Sequence, residues 1–174
     1  MPKHLTVGLP SEAEWEKAAR GGQTIPEKPV IRAIDAISEQ PDQSMLSKTN
    51  SKGVFPWGDH ADENRSNVKE SGIGSTSAVG CFPNGQSPYG CEEMSGNAWE
   101  WTLSWYDDPT DEPRLDWQKI PQITKSDRII LKGGSFVSEK DRSRCASRYW
   151  VNPCINWRRN YGFRVLLSPF SSDL

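Results

Sequence analysis

Three sets of side chains in this 174-residue sequence are of types that do chemistry. Between Glu92 and Asp116 stand eight acidic residues against Arg114 alone, and between Leu131 and Arg164 eight basic residues against Glu139 and Asp141. Opposed blocks of this kind either neutralise each other as two faces of the folded chain or set an acidic cation site beside a basic binding surface. The second set is the cysteines Cys81, Cys91, Cys145 and Cys154. None stands in CxxC spacing, which argues against a zinc ribbon or a thioredoxin-type redox pair. The third set is Tyr149, Trp150, Val151, Cys154, Ile155, Asn156, Trp157 and Tyr161, interleaved with Arg148, Arg158 and Arg159. Rings supply apolar area, and arginine adds planar hydrogen bonding and cation–π contact, so the mixture has the composition of a recognition surface. The alternative is that these side chains pack against neighbouring parts of the protein.

The elements that must position these groups are short. Ser11 and Glu14 form a capping box, Trp15, Ala18 and Ala19 share one helical face, and Gly21-Gly22 stops the helix. Residues 23–53 read as a loop insertion, with a helical turn expected at Arg32–Ile37. From Phe55 to Pro88 the glycines, prolines and asparagines predict ordered irregular loop, anchored by Trp57, Val68, Val79 and Phe82. Alternating apolar residues predict a strand over 97–105, with Trp99, Trp101 and Trp105 in the core. Arg128–Val137 reads as strand, glycine bend, strand, and Arg144–Arg148 and Gly162–Leu167 as further strands. The stretch after Tyr149 keeps neither period and reads as loop. One helix followed by short strands and long loops predicts an α+β fold in a single domain, 1–174.

Composition removes several classes. Hydrophobic residues are 34%, the mean hydropathy is -0.72, and no apolar run nears the roughly 20 residues of a membrane helix. No signal-peptide pattern follows Met1, so a reducing, cytoplasmic setting with free thiols is the default expectation. A net charge of -2 argues against general nucleic-acid binding. His4 and His60 are too few for a multi-histidine metal centre, whereas eight tryptophans can fill a core poor in aliphatics.

Seven segments stand in a distinctive order: Leu9–Gly22, Phe55-Pro-Trp-Gly-Asp59, Thr76-Ser-Ala-Val-Gly80, Tyr89-Gly90, Met94-Ser-Gly-Asn-Ala-Trp-Glu-Trp-Thr102, Gly133-Gly-Ser-Phe136 and Gly162-Phe-Arg-Val165. In this order they resemble the formylglycine-generating enzyme and sulfatase-modifying-factor family. The resemblance implies a variant C-type lectin fold, and it implies two departures from the family. The family domain carries a further stretch of roughly a hundred residues ahead of the Leu-Pro-Ser-Glu helix, so this chain is expected to be a shortened member or part of something larger. The active enzymes also hold Cu(I) on a cysteine pair just after Gly-Gly-Ser. The first of the pair falls at Ser138 and the second near Arg142 or Ser143. Cu(I) selects soft thiolates, which a serine hydroxyl cannot replace, so copper is not expected.

The resemblance also implies calcium. One site would use the Glu93 side chain, the Gly96 and Ala98 carbonyls and the Glu100 carboxylate, oxygen ligands suited to a hard divalent ion. The alternative for Glu100 is pairing with an arginine of the basic segment. A second site would use Asn67 and the Val68 and Ile73 carbonyls, weakened because Ser71 stands where an Asp is expected, with Glu70 as a substitute. The Tyr149–Tyr161 stretch further resembles the variable proteins of diversity-generating retroelements, which use the same fold. The expected function is therefore a catalytically silent ligand-binding domain, engaging a protein or other macromolecule through residues 149–161. The alternatives are a copper oxidase using Cys145 and Cys154, with Ser135 lining its pocket, and an accessory domain of a larger protein.

Overall fold

Ser11 opens the helix as its side chain predicts. In a computed structural model describing residues 6–29, 44–48, 53–107, 124–154 and 158–168, α1 spans Glu12–Arg20 after β1, Thr6–Gly8. Ser11 Oγ accepts from the Glu14 amide at 3.2 Å, and the Glu14 carboxylate accepts from the Ser11 amide at 2.8 Å, completing the capping box. Gly21 ends the helix at φ 79°, its amide bonded to the Lys17 carbonyl. Trp15 and Ala19 form the buried face, packed with Met94 and Cys145.

Two small antiparallel pairs flank the helix: β1 with β8 (Leu166–Ser168), and β2 (Thr24–Pro26) with β3 (Met45–Ser47). The main sheet has four strands in the order β6-β5-β4-β7, with β4 at Trp99–Trp105, β5 at Ile129–Lys132, β6 at Arg148–Val151 and β7 at Tyr161–Gly162. β5 runs antiparallel to both neighbours and β7 parallel to β4. Cross-strand partners share a face of a sheet. Glu100, Lys132, Ile130, Arg148 and Trp150 therefore point to the helix side, and Trp101, Leu131, Tyr149 and Val151 to the other. The far side holds a second core of Trp99, Leu131 and Val151, with Trp101 and Tyr161 packed against it.

The α+β expectation and the strand from Trp99 stand, with several local corrections. Residues 144–147 are a turn, the Ser147 amide donating to the Arg144 carbonyl at 2.9 Å, and the strand begins at Arg148. Tyr149–Val151, expected as loop, is thus sheet; rings on both faces disguise the period of two. No second strand follows Gly133-Gly134, whose φ values of 94° and 79° turn the chain into a Ser135–Ser138 bend. The expected Gly162–Leu167 strand divides between β7 and β8, which join different sheets. Both ends of the 23–53 insertion pair as β2 and β3; the expected helical turn at Arg32–Ile37 lies outside the described residues. The loop from Phe55 to Pro88 is ordered by short 3-10 turns at Lys69–Ser71 and Pro83–Gly85.

Candidate functional site

Strand geometry divides the residues expected to form one recognition loop. Tyr149 is 45% and Trp150 43% exposed, but they stand on opposite faces of β6. Tyr149 lies 5.4 Å from the Trp99 ring, and Tyr161 meets Trp101 edge-on at 6.1 Å. Burial, then the neighbouring Tyr149 hydroxyl, raises the Tyr161 phenol above its ordinary value. Trp150 belongs instead to a ladder on the helix side. Its ring is 6.0 Å from Tyr106, the Arg128 guanidinium sits 5.0 Å from the Trp150 ring and 5.3 Å from Tyr106, and Arg148 lies 5.3 Å from Tyr106. Asp107 grips Arg128 through two bonds of 2.9 and 2.6 Å. Val151 is 2% exposed and belongs to the far-side core, so it is not displayed; this corrects its expected role. Cys154 is exposed beside Asn152, whose side chain holds the Thr124 and Asp127 carbonyls. Ile155, Asn156 and Trp157 lie outside the described residues.

Ser138 is locked into the bend after Gly133-Gly134. Its hydroxyl accepts from the Ser135 amide at 3.1 Å and lies 3.1 Å from the Ser135 hydroxyl, which in turn accepts from Asn160 at 3.0 Å. Ser143, at the second expected cysteine position, is buried, and its hydroxyl lacks a partner among the described residues. A Cβ at Gly134 would sit 2.2 Å from that hydroxyl, so only glycine fits there. Cys145 lies in the Trp15–Met94 core, and burial pushes its thiol up to about 12, which keeps it protonated at neutral pH. Cys154 is a separate, exposed cysteine. Two serines, one buried protonated thiol and one exposed thiol do not fit a soft two-thiolate copper site.

Glu100 is committed elsewhere. Arg164 donates to it through Nε at 2.5 Å and Nη2 at 2.7 Å, and Trp15 Nε1 donates at 2.6 Å. Beside it opens a cavity of about 440 Å³ lined by Glu92, Glu93, Asn97, Ala98, Glu100 and Arg164, among others. Glu93 has a left-handed backbone, φ 56°, and a buried Oε2 without a partner among the described residues; burial raises its carboxyl despite the Gly80 amide bond. An orphaned buried carboxylate oxygen suits a cation. The Glu93 side of the expected first site therefore fits one, while Glu100 already has Arg164 as counter-charge. Among the described residues no three His, Cys, Asp or Glu side chains form a metal cluster, so backbone oxygens such as those of Gly96 and Ala98 would complete the shell.

At the second expected site, the Ser71 hydroxyl donates to the Val68 carbonyl at 2.6 Å and lies 3.4 Å from Asn67 Oδ1. The hydroxyl thus engages two of the oxygens expected to hold the ion. Glu70, the expected substitute, accepts from the Lys140 amide at 3.0 Å through Oε2, and the Ile73 side chain is exposed.

Tyr106, Arg128 and Arg142 escaped the sequence reading. Tyr106 lies directly after Trp105 and gave no separate signal, and arginines in a basic run look alike until a fold selects among them.

One capped helix against a short-stranded sheet, with long ordered loops, defines the α+β, C-type lectin-like fold of the formylglycine-generating type. The chain belongs to that family: residues 3–169 match the sulfatase-modifying factor enzyme 1-like domain. It is 31% identical over 158 residues to the serine/threonine-protein kinase pkn1 of Chlamydia pneumoniae, covering 90% of this chain and 20% of that protein. It is 30% identical over 172 residues to the inactive C-alpha-formylglycine-generating enzyme 2 of Bos taurus, covering 90% of this chain and 42% of that one. The chain thus spans a minor part of each of these relatives. Among solved structures, Treponema denticola variable protein 1 superposes with a TM-score of 0.54 at 23% identity, covering 91% of this chain and 46% of that one. Among the described residues no helix is long and apolar enough to cross a membrane.

Proposed function

We propose that this domain is a catalytically silent binding module. The observation that carries the reading is Ser138, a hydroxyl tied into the Ser135 bend where an oxidase of the family would need a thiolate. The display surface is the exposed part of β6 and its surroundings. Tyr149 and Tyr161 front the far side, Trp150 the helix side, and Cys154, Ile155, Asn156 and Trp157 follow in sequence. Protein or other macromolecular ligands suit half-exposed rings beside arginines. The reading includes a calcium ion on the Glu93 side of the acidic cavity, with the Gly96 and Ala98 carbonyls, supported by the orphaned Glu93 oxygen. It also includes diversification of the surface codons by a retroelement, suggested by the shared fold of a protein titled as variable.

The test has two readouts. Incubated with Cu(I), oxygen and a cysteine peptide, the protein should yield no formylglycine by mass spectrometry beyond a protein-free control; formylglycine product would overturn the silent reading. Sequencing the locus across isolates should concentrate substitutions at codons 149, 150, 154–157 and 161, beside a near-copy template repeat. Uniform codons without a repeat would remove diversification.

A further inference from the structure

Beside Tyr149, on the far side of the sheet, a cavity of about 390 Å³ is lined by Trp99, Arg142, Arg144, Ala146, Ser147, Arg148 and Tyr149. Its size lies within the range of small-molecule sites. Trp99 and Tyr149 make one aromatic wall, their centroids 5.4 Å apart and their planes inclined by 33°. Arg142 and Arg144 supply the rest of its character, and none of the described lining residues is acidic. Arg148 also lines the cavity, but its guanidinium turns to the helix side, where Nε lies 2.8 Å from the Glu12 carboxylate. Arg142 and Arg144 are exposed, and among the described residues no ion pair or side-chain hydrogen bond engages either.

Local structure explains the arrangement. Residues Lys140–Arg142 form a 3-10 turn, and the Arg144–Ser147 turn follows it. Between them Ser143 and Cys145 point inward and are buried, the Cys145 amide bonded to the Val54 carbonyl at 2.8 Å. Residues 142 and 144 alternate with these inward ones, so the arginines are left on the outer side, next to the start of β6.

We infer that this cavity binds a phosphate monoester joined to a planar ring. Two unpaired guanidiniums match the two charges of a phosphate monoester and offer planar, bidentate hydrogen bonding that ammonium groups do not. The Trp99–Tyr149 wall offers a ring the stacking and edge contacts that aromatic pairs favour. An isolated inorganic anion would use only half of the site, and a neutral ring only the other half. The inference deepens the binding-module reading, because Tyr149 belongs to the proposed display surface. A nucleoside monophosphate and phosphotyrosine share this chemistry.

Calorimetric titration of the full chain with phenyl phosphate, inorganic phosphate and phenol tests it, with adenosine monophosphate and phosphotyrosine as further arms. Phenyl phosphate should bind one to one, at least tenfold tighter than either half-ligand, and should shift the Trp99 indole resonance. R142Q/R144Q should weaken binding at least tenfold while keeping the thermal midpoint, since both positions are exposed. K28Q/K125Q removes the same charge from other exposed positions and should bind as the parent does. Whichever biological arm exceeds phenyl phosphate names the source. Equal affinity for inorganic and phenyl phosphate, an unaffected R142Q/R144Q variant, or no binding at all would each overturn the inference. None of these outcomes touches the oxidase assay or the locus survey, so the broader reading fails or survives separately.

Discussion

Trp15 Nε1 donates to Glu100 Oε2 at 2.6 Å, joining two residues 85 positions apart. The bond seats the helix on the central strand, and Arg164 completes the node by gripping the same carboxylate. Lys132 makes a parallel bridge, its buried Nζ 3.1 Å from Glu12 and 3.0 Å from Glu16. Paired, hydrogen-bonded charges are the form in which ionised groups persist inside a protein, and such pairs set register between elements.

Replacing Glu100 by Gln should therefore destabilise the domain by about 3–5 kcal/mol, because Arg164 is left without its counter-charge. W15F, which keeps most of the ring but removes the donor, should cost about 1–3 kcal/mol. Urea unfolding reads both. The E100Q loss should persist in a strong chelator, since the partner at stake is Arg164. A loss that vanished on chelation would show that a metal ion holds Glu100.

Calcium should raise the thermal midpoint, and E93Q should abolish the rise. A ligand bound only by the folded state stabilises by about 2.7 kcal/mol at a hundredfold excess over Kd. Scanning calorimetry with calcium and with chelator measures this, and identical midpoints would remove the ion from the reading.

Cys145 should make stability fall in alkali. Its folded pKa, about 12, is raised from an ordinary value of 9.0, so between these values the native state holds a proton that the unfolded state has lost. Stability contributed by the neutral thiol is full below about 9 and declines as pH rises, by at most about 1.4 kcal/mol per pH unit. The difference between parent and C145A isolates it. At neutral pH, a thiol-labelling reagent should modify Cys81 and Cys154 while sparing Cys145 until the chain unfolds.

Adjacent residues of β6 should respond unequally to truncation. V151A should cost about 2 kcal/mol by exposing less apolar burial to folding. W150A, half exposed on the other face, should cost less than about 1 kcal/mol while disturbing the Tyr106–Arg128 contacts. Denaturant midpoints of the two variants check the order, and a larger loss for W150A would contradict the placement.

Much of the frame was legible in sequence because it rests on local rules. Ser11 and Glu14 announce a capping box at a spacing of three, and the period of two from Trp99 announces a central strand. Gly133-Gly134 marks a bend because only glycine takes those backbone angles without strain. A serine at 138 cannot supply the thiolate that the family resemblance places there. Other features depend on which residues meet. Whether Glu100 faces an ion or Arg164 depends on β7 and the segment after it returning beside β4, 64 residues later in the chain. That Tyr149 and Trp150 look to opposite sides, and that Val151 is buried, follows from pairing with β5, which a run of aromatics and arginines does not reveal. Residue type and spacing determined the helix and the strand, because these are properties of short stretches, and the family resemblance marked Ser138 as standing where a thiolate is expected. Only the tertiary structure decided the partners of each charge and the side each ring faces, because those depend on contacts between distant segments.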